Sequence, residues 1–205
     1  MTLPDLISAV IEARARFVWV PLAGTGLEVT ADAVRLKGVR VPVSARTAQR
    51  VADLLTASDP GGYRVSLPTP ELVDLIYDRA ELRPPVVVLD PGEFDPTAWS
   101  TAVAYSYRLD AWLLAQGWMP NLLAAPVGPD WVLTETLTPT RACRYGWHDP
   151  FGPTQLAWHA GLDEHDYASG LRLVRVPPGC RVPGLGRVTR QPGVEATASC
   201  SPAQP

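Results

Sequence analysis

Residues 141–176 read RACRYGWHDPFGPTQLAWHAGLDEHDYASGLRLVRV. Within them ACRYGW, QLAW and LRLVRV are short runs, rich in apolar residues and bounded by Gly and Pro, which reads as strand. GWHDPFGP joins the first two, with Asp149 and Pro150 as turn formers and Trp147 and Phe151 as packing anchors, and so predicts a turn or hairpin connection. LDEHDYASG reads as a polar loop in which Asp166 accepts from nearby backbone N–H groups and Gly170 takes a positive φ. All three histidines of the chain, His148, His159 and His165, fall in this stretch. Any imidazole that titrates near neutral pH must therefore come from here.

Working outward, the same grammar alternates with helices. FVWVPL, LEVT and VRLKGVRVPV predict two or three strands joined by turns at Gly24, Gly26 and Gly38. Ser44 caps a predicted helix with Ala48, Val51, Ala52, Leu54 and Leu55 as its buried stripe. Thr69 caps a second, with Pro70 in the first turn, Glu71 against the positive helix end, and Leu72, Val73, Ile76 and Tyr77 inward. A third is expected from Thr97 to Gln116, its apolar face Val103, Tyr107, Leu109, Leu113 and Leu114 and its terminator Gly117. A short amphipathic helix over residues 3–16 and an edge strand at PPVVVL complete the pattern. Residues 118–130 read as loop, and WVLTETL as strand.

The expected fold is α+β: one domain over residues 1–190, a mixed or antiparallel sheet with several amphipathic helices and long Pro/Gly-rich loops, then a disordered tail over 191–205. A length of 205 residues with 46% apolar content suits one well-packed domain. The net charge of −3 opposes a sequence-independent grip on nucleic acid. No apolar run of about eighteen residues exists to span a bilayer. Residues 1–17 lack the basic start and cleavage site of a signal peptide, so a cytoplasmic product is expected. Three cysteines without CxxC spacing fit a reducing compartment.

VSARTAQRVADLL, then LPTPELVDLIYDRAEL, AVAYSYRLDAWL, RYGWHDPFGPTQL, a spaced histidine and DYASGLRLV resemble a family of uncharacterised bacterial and phage-associated proteins. Its motifs are LPTxxMVDxI, YGWHxxxGxxIQPL and DYSHGxRLV. Tyr145, Gly146, Trp147 and His148 match the second motif, followed by Gly152, Gln155 and Leu156. His159 stands at the spaced histidine, and Asp166, Tyr167, Gly170, Arg172, Leu173 and Val174 match the third. The family triplet SHG is here Ala168, Ser169, Gly170, so its histidine is missing, and His165 lies close upstream. SHGxRL is also faintly similar to the SHGCxR signature of L,D-transpeptidases, but Leu171 occupies the place of the nucleophilic cysteine and that mechanism is not supported.

Three readings of the histidine-rich stretch compete. As a metal site it fits no common zinc spacing, so no metal ligand is assigned. As an acid–base or nucleophilic site it offers His148, His159, Asp166, Tyr167 and Ser169 as catalytic residues, with Trp147, Gln155, His165 and Arg172 binding substrate. Cys143 is either a thiolate nucleophile, if a histidine lies within reach, or a small buried residue of a strand. The third reading is structural, with the histidines in ordinary loops.

The mix of Gly, Trp, His, Asp, Tyr and Arg in the matching motifs is poorly explained by packing alone. The expected function is therefore a small hydrolase or transferase acting on a peptide or peptidoglycan-like substrate through a His/Asp cluster. No motif specifies a cofactor. The alternative is a non-enzymatic structural or partner-binding component of a phage-like or secretion-like assembly, holding a protein partner through tryptophan-rich loops. That alternative predicts dispersed histidines and an exposed aromatic patch.

Overall fold

The computed structural model describes residues 18–85, 87, 89, 95–119, 121–126, 128–133, 141–149 and 152–180. For 141, 147–149 and 152–160 it describes the backbone alone. The helix expected over 3–16 and the tail at 191–205 lie outside the described residues, as does most of the strand expected at PPVVVL.

The described chain is α+β and mostly antiparallel. Strands β1 (Trp19–Leu22), β2 (Leu27–Thr30), β5 (Arg64–Ser66) and β9 (Val174–Val176) form a four-stranded sheet in the order β1-β2-β9-β5, antiparallel throughout. Between β2 and β5 the chain makes a small ribbon, β3 (Arg35–Leu36) and β4 (Val39–Arg40). Its two-residue turn places Lys37 and Gly38 at φ 50° and 86°, as tight hairpins require.

Helix α1 (Ala45–Ser58) begins where the sequence places it: the Ser44 hydroxyl accepts from the Thr47 N–H at 3.3 Å. Its stripe of Ala48, Val51, Ala52 and Leu55 packs with Val65 of β5 on one side of the sheet. Helix α2 (Pro70–Arg79) has Thr69 as its cap and Pro70 in its first turn. Leu72 and Ile76 cover the other side, over Val20, Leu22, Leu27, Val29, Val174 and Val176. The central sheet is thus covered on both faces.

A second sheet carries β6 (Pro129–Val132), β7 (Arg141–Asp149) and β8 (Gly152–Gly161) in that order. The expected hairpin forms, with Asp149 opposite Gly152 at its tip. Gly146 of the YGW run sits at φ +146°, a conformation open mainly to glycine. A Cβ there would meet the Gly128 carbonyl and the Pro129 backbone, so this glycine lets β6 lie close to β7. Two of the matching stretches also meet: Tyr145 donates its hydroxyl to Asp74 of α2 at 2.8 Å, and Val73 packs with Val132, Cys143 and Tyr145.

Helix α3 (Trp99–Ala115) departs from its expected orientation. Leu109 and Leu113 are buried as anticipated, but Tyr107 and Leu114 are 70% and 65% exposed. The buried face is instead Thr101, Ala102, Tyr105, Ser106, Leu109 and Leu113. Its polar members face the β3–β4 ribbon, where the Ser106 hydroxyl accepts from the Arg40 N–H at 2.8 Å. Ribbon arginines claim one edge of the buried face, while Tyr105 and Leu109 pack with Leu89 and Ala168 on the other.

Three further differences are local. The strand expected over 171–176 is regular only from Val174, although Leu171 and Leu173 still accept from the Val34 and Thr30 N–H groups. The loop expected over 118–130 gives way to β6 at Pro129. Leu82 pairs with Ala124 in an isolated parallel bridge, and residues 84, 85, 87 and 89 belong to no strand.

Candidate functional site

The stretch from Asp166 to Arg172 runs along the open edge of β6. The Gly170 N–H donates to the Pro129 carbonyl at 3.2 Å, in an isolated parallel bridge with Asp130. On its other side Ser169 accepts from the Val43 N–H at 3.2 Å. The stretch therefore ties the second sheet to the end of the β3–β4 ribbon and satisfies an edge that would otherwise be unpaired.

Asp166 accepts from the Ala168 N–H at 3.0 Å, as the sequence suggests. It also pairs with Arg144 at 2.7 Å, and the Ser169 hydroxyl lies 3.0 Å from its carboxylate and 2.9 Å from Arg144. Ser169 is fully buried. These contacts make it a positioning group within a closed network, a poor place for a nucleophile that must reach a substrate. Gly170 does not have the positive φ expected of it. Its role is close approach, since a Cβ would stand 2.5 Å from the Asp130 carboxylate.

Arg172 extends from this stretch into the interior and is 2% exposed. It donates to the Thr30 carbonyl at 3.2 Å and lies 3.6 Å from Asp130 and 3.8 Å from Asp32. Its Nε has no hydrogen-bond partner. Asp32 is the hub of the cluster, binding Arg35 at 2.6 Å and Arg40 at 2.8 Å. Asp110 of α3 closes the ring on the same two guanidiniums, at 2.7 Å from each. Three arginines thus face three aspartates, Asp32, Asp110 and Asp130, in a largely buried, charge-balanced set.

The acids of this set do not behave alike. Burial alone would raise Asp32, but Arg40, Arg35 and Arg172 more than offset it and hold its carboxyl far below the usual range. Burial likewise opposes ionisation of Asp110, and Arg35 and Arg40 again prevail. Asp130 is pushed up to about 6: burial dominates, Arg172 pulls it down, and the Asp32 charge adds to the rise. Two carboxyls on one guanidinium thereby diverge, one locked as an anion and one able to exchange a proton near neutrality.

A cleft of about 30 Å³ lies against this point, lined by Arg40, Tyr105, Asp130, Tyr167, Ser169 and Arg172 among others. The space suits ordered water. Tyr167 and Tyr105 meet edge to face at 5.2 Å across one wall. The Tyr167 hydroxyl accepts from the Leu89 N–H at 3.1 Å, and burial holds the Tyr105 hydroxyl well above its usual pKa, so it stays protonated.

The other residues singled out in the sequence are placed as follows. His148 lies opposite Pro153 near the hairpin tip, and His159 lies six positions further along β8. At about 3.3 Å per residue that is roughly 20 Å of strand. The backbone register sets the two at opposite ends of the hairpin and does not bring them together. Their side chains, with those of Trp147 and Gln155, lie outside the described residues. His165 is exposed in the turn after β8, with Nδ1 at 3.5 Å from the Asp163 carbonyl oxygen.

Cys143 is buried, and burial pushes its thiol up to about 11, which suits the packing role rather than a thiolate. Cys180 is disulfide-bonded, a departure from the free thiols expected. Among the described residues no group of three or more His, Cys, Asp or Glu side chains is placed to hold a metal ion, and no helix is long and apolar enough to cross a membrane.

No family model, curated protein or solved structure matches this chain.

Sequence reasoning missed Asp32, Arg35, Arg40, Asp110 and Asp130. One local signal was there: Ser106 and Asp110 lie four apart on a helix, on one face with Ala102, so a polar line ran along the buried side. Asp130 gave no signal, because its raised pKa comes from burial and a neighbour almost a hundred positions away in the chain.

The pH dependence of folding follows from these shifts. The pKa of Asp130 is raised in the folded state, so its contribution to stability is fully present below about pH 4 and lost as pH rises through about 6. Asp32 is lowered, so its contribution is present above about pH 4 and lost on further acidification. Urea denaturation should show stability higher at pH 5 than at pH 7.5 by about 1 kcal/mol. In Asp130→Asn that difference should vanish.

Proposed function

We propose that this chain is a small hydrolase or transferase acting on a peptide or peptidoglycan-like substrate, with Asp130 as its acid–base group. The observation that carries the reading is convergence. Tyr167, Ser169, Gly170 and Arg172, all within the DYASGLRLV stretch, line the same small cleft as a buried carboxyl raised to about 6. A proton-exchanging acid beside buried guanidiniums in a cleft is a catalytic arrangement with a physical rationale.

In this reading the Asp130 carboxylate takes a proton from a water held in the cleft as the water oxygen attacks a carbonyl carbon at its mouth. Arg172, buried 3.6 Å from Asp130, adds positive potential behind that carboxylate and favours the developing oxyanion without touching it. Asp130 then returns the proton to the departing amine or hydroxyl as its bond to the carbonyl carbon breaks. An acceptor hydroxyl or amine in place of water makes the same sequence a transfer. Ser169 stands where the resembling family has histidine, so Asp130 would carry proton transfer in this chain.

The test is turnover of defined peptide amides, peptide esters and muropeptides by the purified chain, with Asp130→Asn as its matched control. Hydrolysis or exchange lost in Asp130→Asn and retained in His165→Ala supports the reading. Turnover equal in wild type and Asp130→Asn overturns it.

A second reading, the partner-binding component, is favoured by one observation. Tyr107 and Leu114 lie seven residues apart, two turns along one face of α3, and both are exposed. Such a stripe suits a helix or sheet partner.

A further inference from the structure

A separate hollow lies on the other side of β6. Successive residues of a strand face opposite ways, so Asp130 lines the water-sized cleft while Trp131 forms part of the floor of a groove of about 360 Å³. That volume falls within the range of small-molecule sites. Its described apolar floor is Leu67, Trp131 and Ala142, with half-buried Leu133 and Leu162 beside them. One edge is the polar face of α1, where Arg46, Gln49, Arg50 and Asp53 recur at helical spacing.

The charges on that edge are unequal in availability. Arg46 is paired with Asp163 at 2.9 Å, and the Asp53 carboxylate accepts from Gln49 at 2.9 Å. The Arg50 side chain makes no hydrogen bond or ion pair among the described residues. The described lining therefore combines an apolar floor with two guanidiniums, one of them unengaged, against a single carboxylate. We infer that the groove binds a compact apolar acid, an aryl or acyl carboxylate whose hydrocarbon lies over Trp131 and Leu162 and whose carboxylate meets Arg50. This site is independent of the Asp130 reading.

Trp131 supplies an intrinsic reporter. The full chain is titrated with octanoate and 3-phenylpropanoate, and with octanamide and 3-phenylpropanamide as neutral counterparts, following tryptophan fluorescence and calorimetric heat. Saturable binding is expected, the acids tighter than the amides. Arg50→Gln, an exposed position whose change leaves the core intact, should weaken the acids about two- to fivefold and leave the amides unchanged. Leu162→Trp, which narrows the groove, should weaken all four.

Acids and amides binding alike, or both unaffected by Arg50→Gln, would overturn the assignment of an acid. Absence of saturable binding by every probe up to millimolar concentration would overturn the site itself, as it would if another segment of the chain or a protein partner were the true occupant.

Discussion

Asp32→Asn is expected to destabilise the chain by about 3–5 kcal/mol, because breaking a buried ion pair strands its partner charge. The change removes the anion that Arg35 and Arg40 bind at 2.6 and 2.8 Å and that Arg172 faces at 3.8 Å. Three guanidiniums then share Asp110 and Asp130, the second of which ionises reluctantly. A typical domain is stable by about 5–15 kcal/mol, so the loss is a large part of the whole. Urea denaturation at pH 7 measures it. Coupling is part of the same expectation: Asp32→Asn with Arg35→Gln should cost less than the sum of the two single changes, since the double variant removes one charge of each sign. Additive losses would show that the cluster does not act as a unit.

Asp130→Asn, the same chemical change at the other carboxyl beside Arg172, is expected to leave stability nearly unchanged and to remove activity. Its carboxyl is already disfavoured as an anion by burial, so an amide of the same shape should leave stability at pH 7.5 within about 1 kcal/mol of wild type. Turnover of the peptide or muropeptide substrate should fall by about 10²–10⁴, the usual contribution of a positioned acid or base. The wild-type pH profile of kcat/KM should rise through about 6 as Asp130 becomes the base. A stable variant with a large loss in rate separates a chemical role from a structural one. An unstable variant with normal specific activity in its folded fraction would assign Asp130 to the scaffold.

The contrast between these two aspartates also shows what the residues disclosed and what they withheld. Caps and turns are local, so Ser44, Thr69, Pro70 and the Lys37–Gly38 turn announced their elements from a few neighbours. The hairpin after Arg141 was legible for the same reason. The face of α3 was not, because Val103, Tyr107 and Leu114 form a sound apolar stripe and nothing near them says that Arg40 and Arg35 will claim the side bearing Ser106 and Asp110. Arg172 was singled out as a substrate ligand, yet it is buried against Asp32, Asp130 and the Thr30 carbonyl. Its partners lie over forty and well over a hundred positions away in the chain, a distance that no periodicity spans. His148 and His159 were grouped in one candidate site because they share a short stretch of chain, but register, which depends on where the turn closes, sets them apart.

The most direct test of the central claim is the titration of Asp130 itself, followed by the carboxyl carbon resonance in 13C NMR and assigned with Asp130→Asn. An apparent pKa near 6, with Asp32 remaining ionised throughout the same range, is the result the account predicts. A carboxyl that titrates at about 4 or below, as an ordinary solvated or fully paired aspartate does, would contradict it and remove Asp130 as the acid–base group of the cleft.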